Sequence, residues 1–280
     1  MTAEYSERKA CCAAVYENDW VRVLLGESFH PGGLALTERL GELLALSRKS
    51  ILLDVACGHG ASAVHLARAF RCRVVGVDLS ALNIARSVES ARAAGIEELV
   101  EFRVGDGEHL PLPDASVEAV LCECAFCLFP SKEKAAAEFA RVLRPGGAVG
   151  LSDLTRSESL PAELDGLLAW IACIADARPA QEYVRYLCSA GLSDALVEPH
   201  DEALGEMVAG IRGKLLGAEL LLKLGKLSLP EVDIDGARAM ARTAEKAVRE
   251  GKLGYTLIVA RKEGTYEQAE TDPAAGTAHR

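Results

Sequence analysis

The chain has 280 residues, half of them hydrophobic and 26% charged, the balance of an ordinary globular protein large enough for one α/β domain with an insertion. Its net charge of −10 argues against a general nucleic-acid binder, which needs clustered Lys and Arg to hold phosphates. No stretch reaches the roughly 18 apolar residues of a membrane span, and the first residues, Met-Thr-Ala-Glu-Tyr-Ser-Glu-Arg, hold no apolar signal core, so a cytoplasmic protein without stable membrane insertion is expected.

Residues 1–10 are polar and expected to fray. Residues 11–48 read as helical, broken at His30-Pro31-Gly32-Gly33 and resumed with helical spacing from Leu34 to Leu46. From Ile51 onward strands and helices alternate, which predicts a parallel sheet. Strands are expected near 51–55, 73–77, 99–104, 117–121, 147–152, 192–198 and 254–261, and helices near 61–70, 80–94, 131–143 and 179–190. Gly95 suits the position just past a helix end, and Pro145-Gly146-Gly147 closes one helix and turns into the next strand. Residues 160–177 are expected to form a helix over the C-terminal edge of the strands. Residues 201–252 are long, helical in pattern and inserted before the last strand. Their apolar run with scattered lysines, 211–227, reads as packing on the domain or on a second subunit rather than on a membrane surface, so a monomer or a homodimer is expected. The tail after Lys262 has little apolar content and is expected to be disordered. These divisions give a helical cap over 1–48, a core over 49–198, an insertion with the final strand over 199–262, and a tail over 263–280.

The most informative stretch is Ile51-Leu-Leu-Asp-Val-Ala-Cys-Gly-His-Gly60, followed by Asp78 at the end of the second predicted strand. A strand, a glycine turn and a helix N-terminus in this order suit a nucleoside cofactor. Gly58 and Gly60 let the backbone approach a ligand, and Asp78 can accept both hydroxyls of a ribose. Gly58-x-Gly60-x-x-Ala63 with Asp78 also matches the dinucleotide fingerprint formally. Asp54 argues the other way: it would repel a pyrophosphate but suits S-adenosylmethionine, which carries an ammonium and a sulfonium and no phosphate.

Nine cysteines are many for a reducing compartment, and no paired C-x-x-C zinc pattern accompanies Cys124-Ala-Phe-Cys127; no metal site is expected. Most are read as small buried residues. Cys57 fits as a small residue in the turn, and Cys72 and Cys188 are read as structural. Cys122, Cys124 and Cys127 lie at the end of the fourth strand; if extended there, Cys122 and Cys124 share one face and a cleft-side thiol could meet a soft acceptor.

Together these residues resemble the class I S-adenosylmethionine-dependent methyltransferases. The likeness rests on Asp54-x-Ala-Cys-Gly-His-Gly60, Asp78, Gly105-Asp106-Gly107-Glu108, Phe126-Cys-Leu-Phe-Pro130 and Arg141-Val-Leu-Arg-Pro-Gly-Gly147, and covers about residues 45–198. It implies a doubly wound, seven-stranded, mostly parallel α/β sheet with helical insertions, S-adenosyl-L-methionine as cofactor and a small-molecule acceptor. It implies that the glycine turn holds the methionine part, that Asp78 binds the ribose, and that Asp106 binds the adenine amino group. The expected cofactor contacts are Asp54, Ala56, Gly58, Gly60, Asp78, Leu79, Asp106, Gly107, Cys122 and Tyr16. Ala56 stands where the family usually has glycine and is expected to be tolerated.

A narrower likeness is to arsenite methyltransferases, carried by Cys122-Glu-Cys-Ala-Phe-Cys-Leu-Phe-Pro-Ser-Lys132, Ser152-Asp153 and Leu168-Ala-Trp-Ile-Ala-Cys173. It implies Cys173, Cys124 and Cys127 as the acceptor-side thiols. The family's cysteine before the first strand and its C-terminal cysteine have no counterpart, and Cys11 or Cys12 could substitute. A soft acceptor such as arsenic(III) needs alignment more than base catalysis. A hydroxyl acceptor would need a base such as His30, His109 or Glu123, and no base with an orienting partner is evident. His30 itself reads as part of an exposed turn. Open alternatives are methylation of an organic hydroxyl or amine, an NAD-dependent oxidoreductase, and a non-catalytic sensor of the cofactor or of a metalloid.

Overall fold

A computed structural model describes residues 30–157, 160, 164, 174, 176–224 and 233–264. Most of the expected helix over 160–177, the tail after 264, Tyr16, Cys11, Cys12 and Cys173 lie outside the described residues.

Helix α1 (Gly33–Leu43) precedes β1 (Ile51–Val55), and alternation follows: α2 (Ala61–Phe70), β2 (Arg73–Asp78), α3 (Ala81–Ala94), β3 (Val100–Val104) and β4 (Val117–Glu123). A 3-10 turn (Phe126–Leu128), α4 (Lys132–Val142) and β5 (Leu143–Arg156) come next, then α5 (Ala180–Ser189), β6 (Leu192–Pro199), α6 (Asp201–Lys223), α7 (Ile234–Arg249) and β7 (Leu253–Lys262). The seven strands form one sheet in the order β3-β2-β1-β4-β5-β7-β6. The pairs from β3 to β5 are parallel, and β7 runs antiparallel between β5 and β6. The mostly parallel sheet that the alternation predicts, and the doubly wound seven-stranded form that the resemblance implies, are both present.

β1 sits at the reversal of strand order, between β2 and β4, which is where an open α/β sheet leaves a crevice at its C-terminal edge. Its residues Leu52 to Val55 are buried, as a strand covered on both faces requires. One face packs Leu40, Leu52, Leu66 and Leu121 beneath α1 and α2. The other packs Phe126, Phe139, Tyr183 and Tyr255 beneath α4 and α5. The first face leaves little space: a Cβ at Gly41 would stand 2.6 Å from the Phe70 ring, and one at Gly150 would stand 2.9 Å from Leu40.

Several strands run longer than the sequence pattern predicts, and the extensions of β4 and β5 matter. β4 continues past Leu121 to Glu123, so that Cys122 pairs with Val55 and Leu151, while Glu123 pairs with Ser152. β5 begins at Leu143 rather than 147, because Pro145-Gly146 is absorbed as an irregularity in the β4–β5 ladder. Gly146 there has φ +78°, the left-handed conformation that glycine supplies at a bulge. α6 and α7 pack on each other between β6 and β7, joined by the ion pairs Arg212–Glu245 and Arg238–Glu219. No helix among the described residues is long and apolar enough to cross a membrane.

Candidate active site

The turn after β1 is built from left-handed backbone. Ala56, Gly58 and Gly60 have φ of +59°, +53° and +77°. Gly60 is the N-cap of α2 and uses no side-chain cap, so the first amides of α2 are left to other partners. One of them, from Ala63, bonds the carboxyl of Asp54. A Cβ at Gly60 would stand 2.9 Å from Ser87 Cβ and 3.0 Å from the Phe102 ring, so glycine is needed for space as well as for φ. Ala56 has no such freedom. A left-handed non-glycine residue costs about 1–2 kcal/mol, so alanine is accommodated there under strain.

Asp78 stabilises the same turn. Its Oδ2 accepts from Gly58 N at 2.9 Å, and its Oδ1 accepts from Ser80 N at 2.8 Å and Asn83 Nδ2 at 3.4 Å. Ser80 caps α3 by accepting from Asn83 N. Leu79, next to Asp78, is 42% exposed, and Val104 at the end of β3 is 54% exposed. Both are apolar surfaces at the mouth of the crevice. Asp106 follows β3 and accepts from Glu108 N at 2.9 Å, which shapes its loop. Gly107 packs tightly: a Cβ there would stand 2.7 Å from the Phe129 ring and 3.0 Å from Val55.

Asp54 is the outlier among the acids. It is buried, and its Oδ2 has no hydrogen-bond partner among the described residues. Burial, then Glu123, then Asp78, hold its carboxyl well above the usual carboxylate range. A buried, unpaired carboxylate oxygen is costly unless a cation or donor meets it. Ala63, the glycine cradle and this orphan oxygen suit a ligand that brings positive charge to the turn.

Glu123 ends β4 and has a 6% exposed side chain. It accepts from Thr37 Oγ1 of α1 (3.2 and 3.1 Å), Ser62 Oγ of α2 (2.5 Å) and Ser152 Oγ of β5 (3.3 Å). His30 Nε2 lies 3.5 Å from its Oε2. His30 is 5% exposed, with Nδ1 3.2 Å from Pro31 O and Nε2 3.3 Å from Thr37 Oγ1. Two expectations are thereby corrected. His30 is buried rather than part of an exposed turn, and an ionisable pair with orienting partners does exist. Thr37 and Ser62 are not singled out by the sequence, and Ser152 enters there only as part of a resemblance, because Ser and Thr are common at helix starts and strand ends; the signal is their convergence, which only the fold supplies. His109 lies elsewhere, with its N bonded to Asp106 O.

The cysteines divide by burial. Cys57, Cys72, Cys122 and Cys127 are buried. Burial is the main cause that pushes up the thiols of Cys57, Cys72 (to about 11) and Cys122. Asp54 and Asp78 add to the effect at Cys57, and Asp153, Asp54 and Glu123 add to it at Cys122. Neutral buried thiols are poor nucleophiles. Cys127 is tied to β5 by its N donating to Asp153 Oδ2 at 2.9 Å, and burial pushes the Asp153 carboxyl up to about 6. Cys124 differs: it is half-buried, just past the end of β4, with φ +47°. It has left the strand, so the condition under which Cys122 and Cys124 would share an extended face is not met. Its thiol donates to Tyr255 Oη at 3.7 Å. Among the described residues no group of three His, Cys, Asp or Glu could hold a metal ion.

Comparison with known proteins now bears on this geometry. Residues 53–151, from β1 to the middle of β5, match the methyltransferase domain family. The chain is 30% identical over 238 residues to 27-O-demethylrifamycin SV methyltransferase of Amycolatopsis mediterranei (strain S699), covering 81% of this chain and 82% of that one. This chain is a class I S-adenosylmethionine-dependent methyltransferase. This methyltransferase is also 34% identical over 134 residues to arsenite methyltransferase of Halobacterium salinarum (strain ATCC 700922 / JCM 11081 / NRC-1), covering 46% of this chain and 33% of that one. A crystal structure of a putative sarcosine dimethylglycine methyltransferase from Galdieria sulphuraria has the same fold, with TM-score 0.76 and 20% identity, covering 89% of this chain and 98% of that one. The cofactor is S-adenosylmethionine, and the reaction transfers its methyl group to a small-molecule acceptor.

Proposed function

We propose that this methyltransferase acts on a soft acceptor engaged by the thiol of Cys124, with trivalent arsenic the leading candidate. The observation that carries the reading is the position of Cys124: a half-buried thiol just past the C-terminal end of β4, whose described neighbours Cys57, Cys122 and Cys127 are buried. The local likeness to an arsenite methyltransferase supports the same reading. Cys173 lies outside the described residues and is proposed as a second thiol. Cys127 is proposed to support the loop rather than to touch the acceptor, since its backbone is held by Asp153.

The cofactor assignments belong to the same proposal. When bound, S-adenosylmethionine supplies an electrophilic methyl group on sulfur. Asp54, Gly58, Gly60 and the first amides of α2 would hold its methionine part. Asp78 would accept the ribose hydroxyls, Leu79 would pack on the adenine, and Asp106 would accept from the adenine amino group. Ala56, Gly107 and Cys122 would shape the walls. The residues hold, orient and exclude water; alignment is the protein's main contribution.

A second reading has its own support. The relative with the longer match is named as a methyltransferase of 27-O-demethylrifamycin SV, an organic molecule, and the His30–Glu123 pair would suit a hydroxyl acceptor. Methyl transfer from isotopically labelled cofactor to arsenite in excess thiol, with products read by mass spectrometry, separates the two. The soft-acceptor reading expects methylated arsenic from the wild type and none from Cys124→Ser, with cofactor affinity unchanged in the variant. No methylated arsenic from protein that binds the cofactor overturns it and favours an organic hydroxyl or amine.

A further inference from the structure

We propose that the free site keeps one proton among Asp54, Asp78 and Glu123, carried on Asp54, and that binding of S-adenosylmethionine exchanges this proton for the cofactor's ammonium; this rests on the reading that Asp54 holds the methionine part. Strand register brings the three acids together. Asp54 of β1 pairs with Gly76 of β2 and with Leu121 of β4. Paired residues of neighbouring strands share a face of the sheet, and so do residues two apart in one strand. Asp78 stands two residues beyond Gly76, and Glu123 stands two beyond Leu121. Three adjacent strands, β2, β1 and β4, therefore each end in an acid on one face, the face that packs Leu52, Val74 and Leu121. All three acids are buried.

Hydrogen bonds decide which acid takes the proton. Asp78 accepts from Gly58 N, Ser80 N and Asn83 Nδ2. Glu123 accepts from the hydroxyls of Thr37, Ser62 and Ser152, and His30 Nε2 lies 3.5 Å away. Both are supplied with donors as ionised carboxylates need to be. Asp54 Oδ2 has no partner among the described residues. Ionised, Asp54 would add a third buried negative charge with one oxygen unmet; as a neutral acid it adds no charge. Among the described residues, the titratable groups around Asp54 are Asp78 on β2, Cys122 and Glu123 on β4 and Cys57 in the turn, with His30 beyond Glu123. His65 of α2 is taken by Glu38 at 2.9 Å. Burial, then Glu123, then Asp78, hold the Asp54 carboxyl up, in the direction the hydrogen bonds require. The exchange balances. The O–H bond of Asp54 breaks, its proton leaves to solvent, and the carboxylate formed meets the single positive charge of an ammonium. Nothing is oxidised.

The test is titration calorimetry of the full chain with S-adenosylmethionine at about pH 6, in buffers of different ionisation enthalpy, which counts the protons exchanged per cofactor bound. At that pH the ligand's α-amino group, ordinarily titrating at about 8, stays charged. The wild type is expected to release about one proton more than Asp54→Asn, a difference in which any exchange at His30 cancels. A comparison of ligands needs no variant. S-adenosylhomocysteine keeps the ammonium without the sulfonium charge and is expected to release the same proton. 5′-Methylthioadenosine keeps the nucleoside without the ammonium and is expected to release none. Equal release by wild type and Asp54→Asn, or equal release with S-adenosylmethionine and 5′-methylthioadenosine, overturns the exchange. Affinities from the same titrations separate it from the reading beneath it. Weaker binding by Asp54→Asn with no difference in release keeps Asp54 on the methionine part and loses the proton. Binding by Asp54→Asn as tight as wild type removes Asp54 from the methionine part, and the exchange with it.

Discussion

The ends of β1, β2 and β3 and the ends of β4, β5 and β7 border the same edge of the sheet, but they are made differently. The first group works through backbone: left-handed glycines, helix amides and an aspartate that accepts from Gly58 N and Ser80 N. The second works through side chains: a carboxylate, hydroxyls, a phenol and a thiol drawn from α1, α2 and three strands. A backbone cradle fits one cofactor and tolerates little change. A side-chain network can be altered one group at a time, which suits the half of the site that must differ between acceptors.

If the cradle is as intolerant as its geometry implies, the largest effect belongs to Gly60. Gly60→Ala adds left-handed strain and a Cβ 2.9 Å from Ser87, together about 2–4 kcal/mol of stability. Denaturant unfolding measures it, and a loss below about 1 kcal/mol would show the turn to be adaptable. Asp78→Ala comes next. It strips the acceptor from Gly58 N and from the α3 start, and cofactor affinity by calorimetry is expected to fall at least about tenfold, on the order of 1.4 kcal/mol or more. Unchanged affinity would sink the ribose assignment and leave Asp78 as a turn support alone.

The same contrast explains what the sequence makes legible. The glycine turn, Asp78 and Asp106 fall within short runs whose spacing reports strand, turn and helix directly. Alternating apolar segments likewise announce the sheet. Glu123 is different: its partners are residues 30, 37, 62 and 152. No local period links them, and each alone reads as an ordinary polar residue. Cys124 is hidden for a second reason. Its neighbours continue an extended strand pattern, so the turn at φ +47° that separates it from Cys122 has no glycine to mark it.

Asp54 joins the two halves, since its carboxyl feels Glu123 on one side and Asp78 on the other. Its folded carboxyl is raised above the ordinary value of 3.8, so the folded chain keeps a proton that the unfolded chain has already lost. Stability of the cofactor-free protein should therefore fall as pH rises from the ordinary carboxylate range toward the raised value, and stay lower above it. Asp54→Asn should remove that fall and stabilise the cofactor-free protein at neutral pH by about 1–2 kcal/mol while weakening cofactor binding. Melting curves from about pH 4 to about pH 8 check it. A variant no more stable than wild type at neutral pH would mean that folding does not raise the Asp54 carboxyl.

The smallest expected effect is the finest probe of the cradle. Ala56→Gly relieves the left-handed strain of about 1–2 kcal/mol but returns about 0.5–1 kcal/mol through the freer unfolded chain. The net gain should be about 0.5–1 kcal/mol, a rise of roughly 1–4 °C in Tm. A fall in Tm would mean that the Ala56 methyl, which packs against the core beneath the turn, outweighs the strain. Cofactor affinity measured on the same variant then decides what the strain is for. Unchanged affinity makes it a passive cost of carrying alanine at this place, and altered affinity makes residue 56 a control on how the turn closes over its ligand.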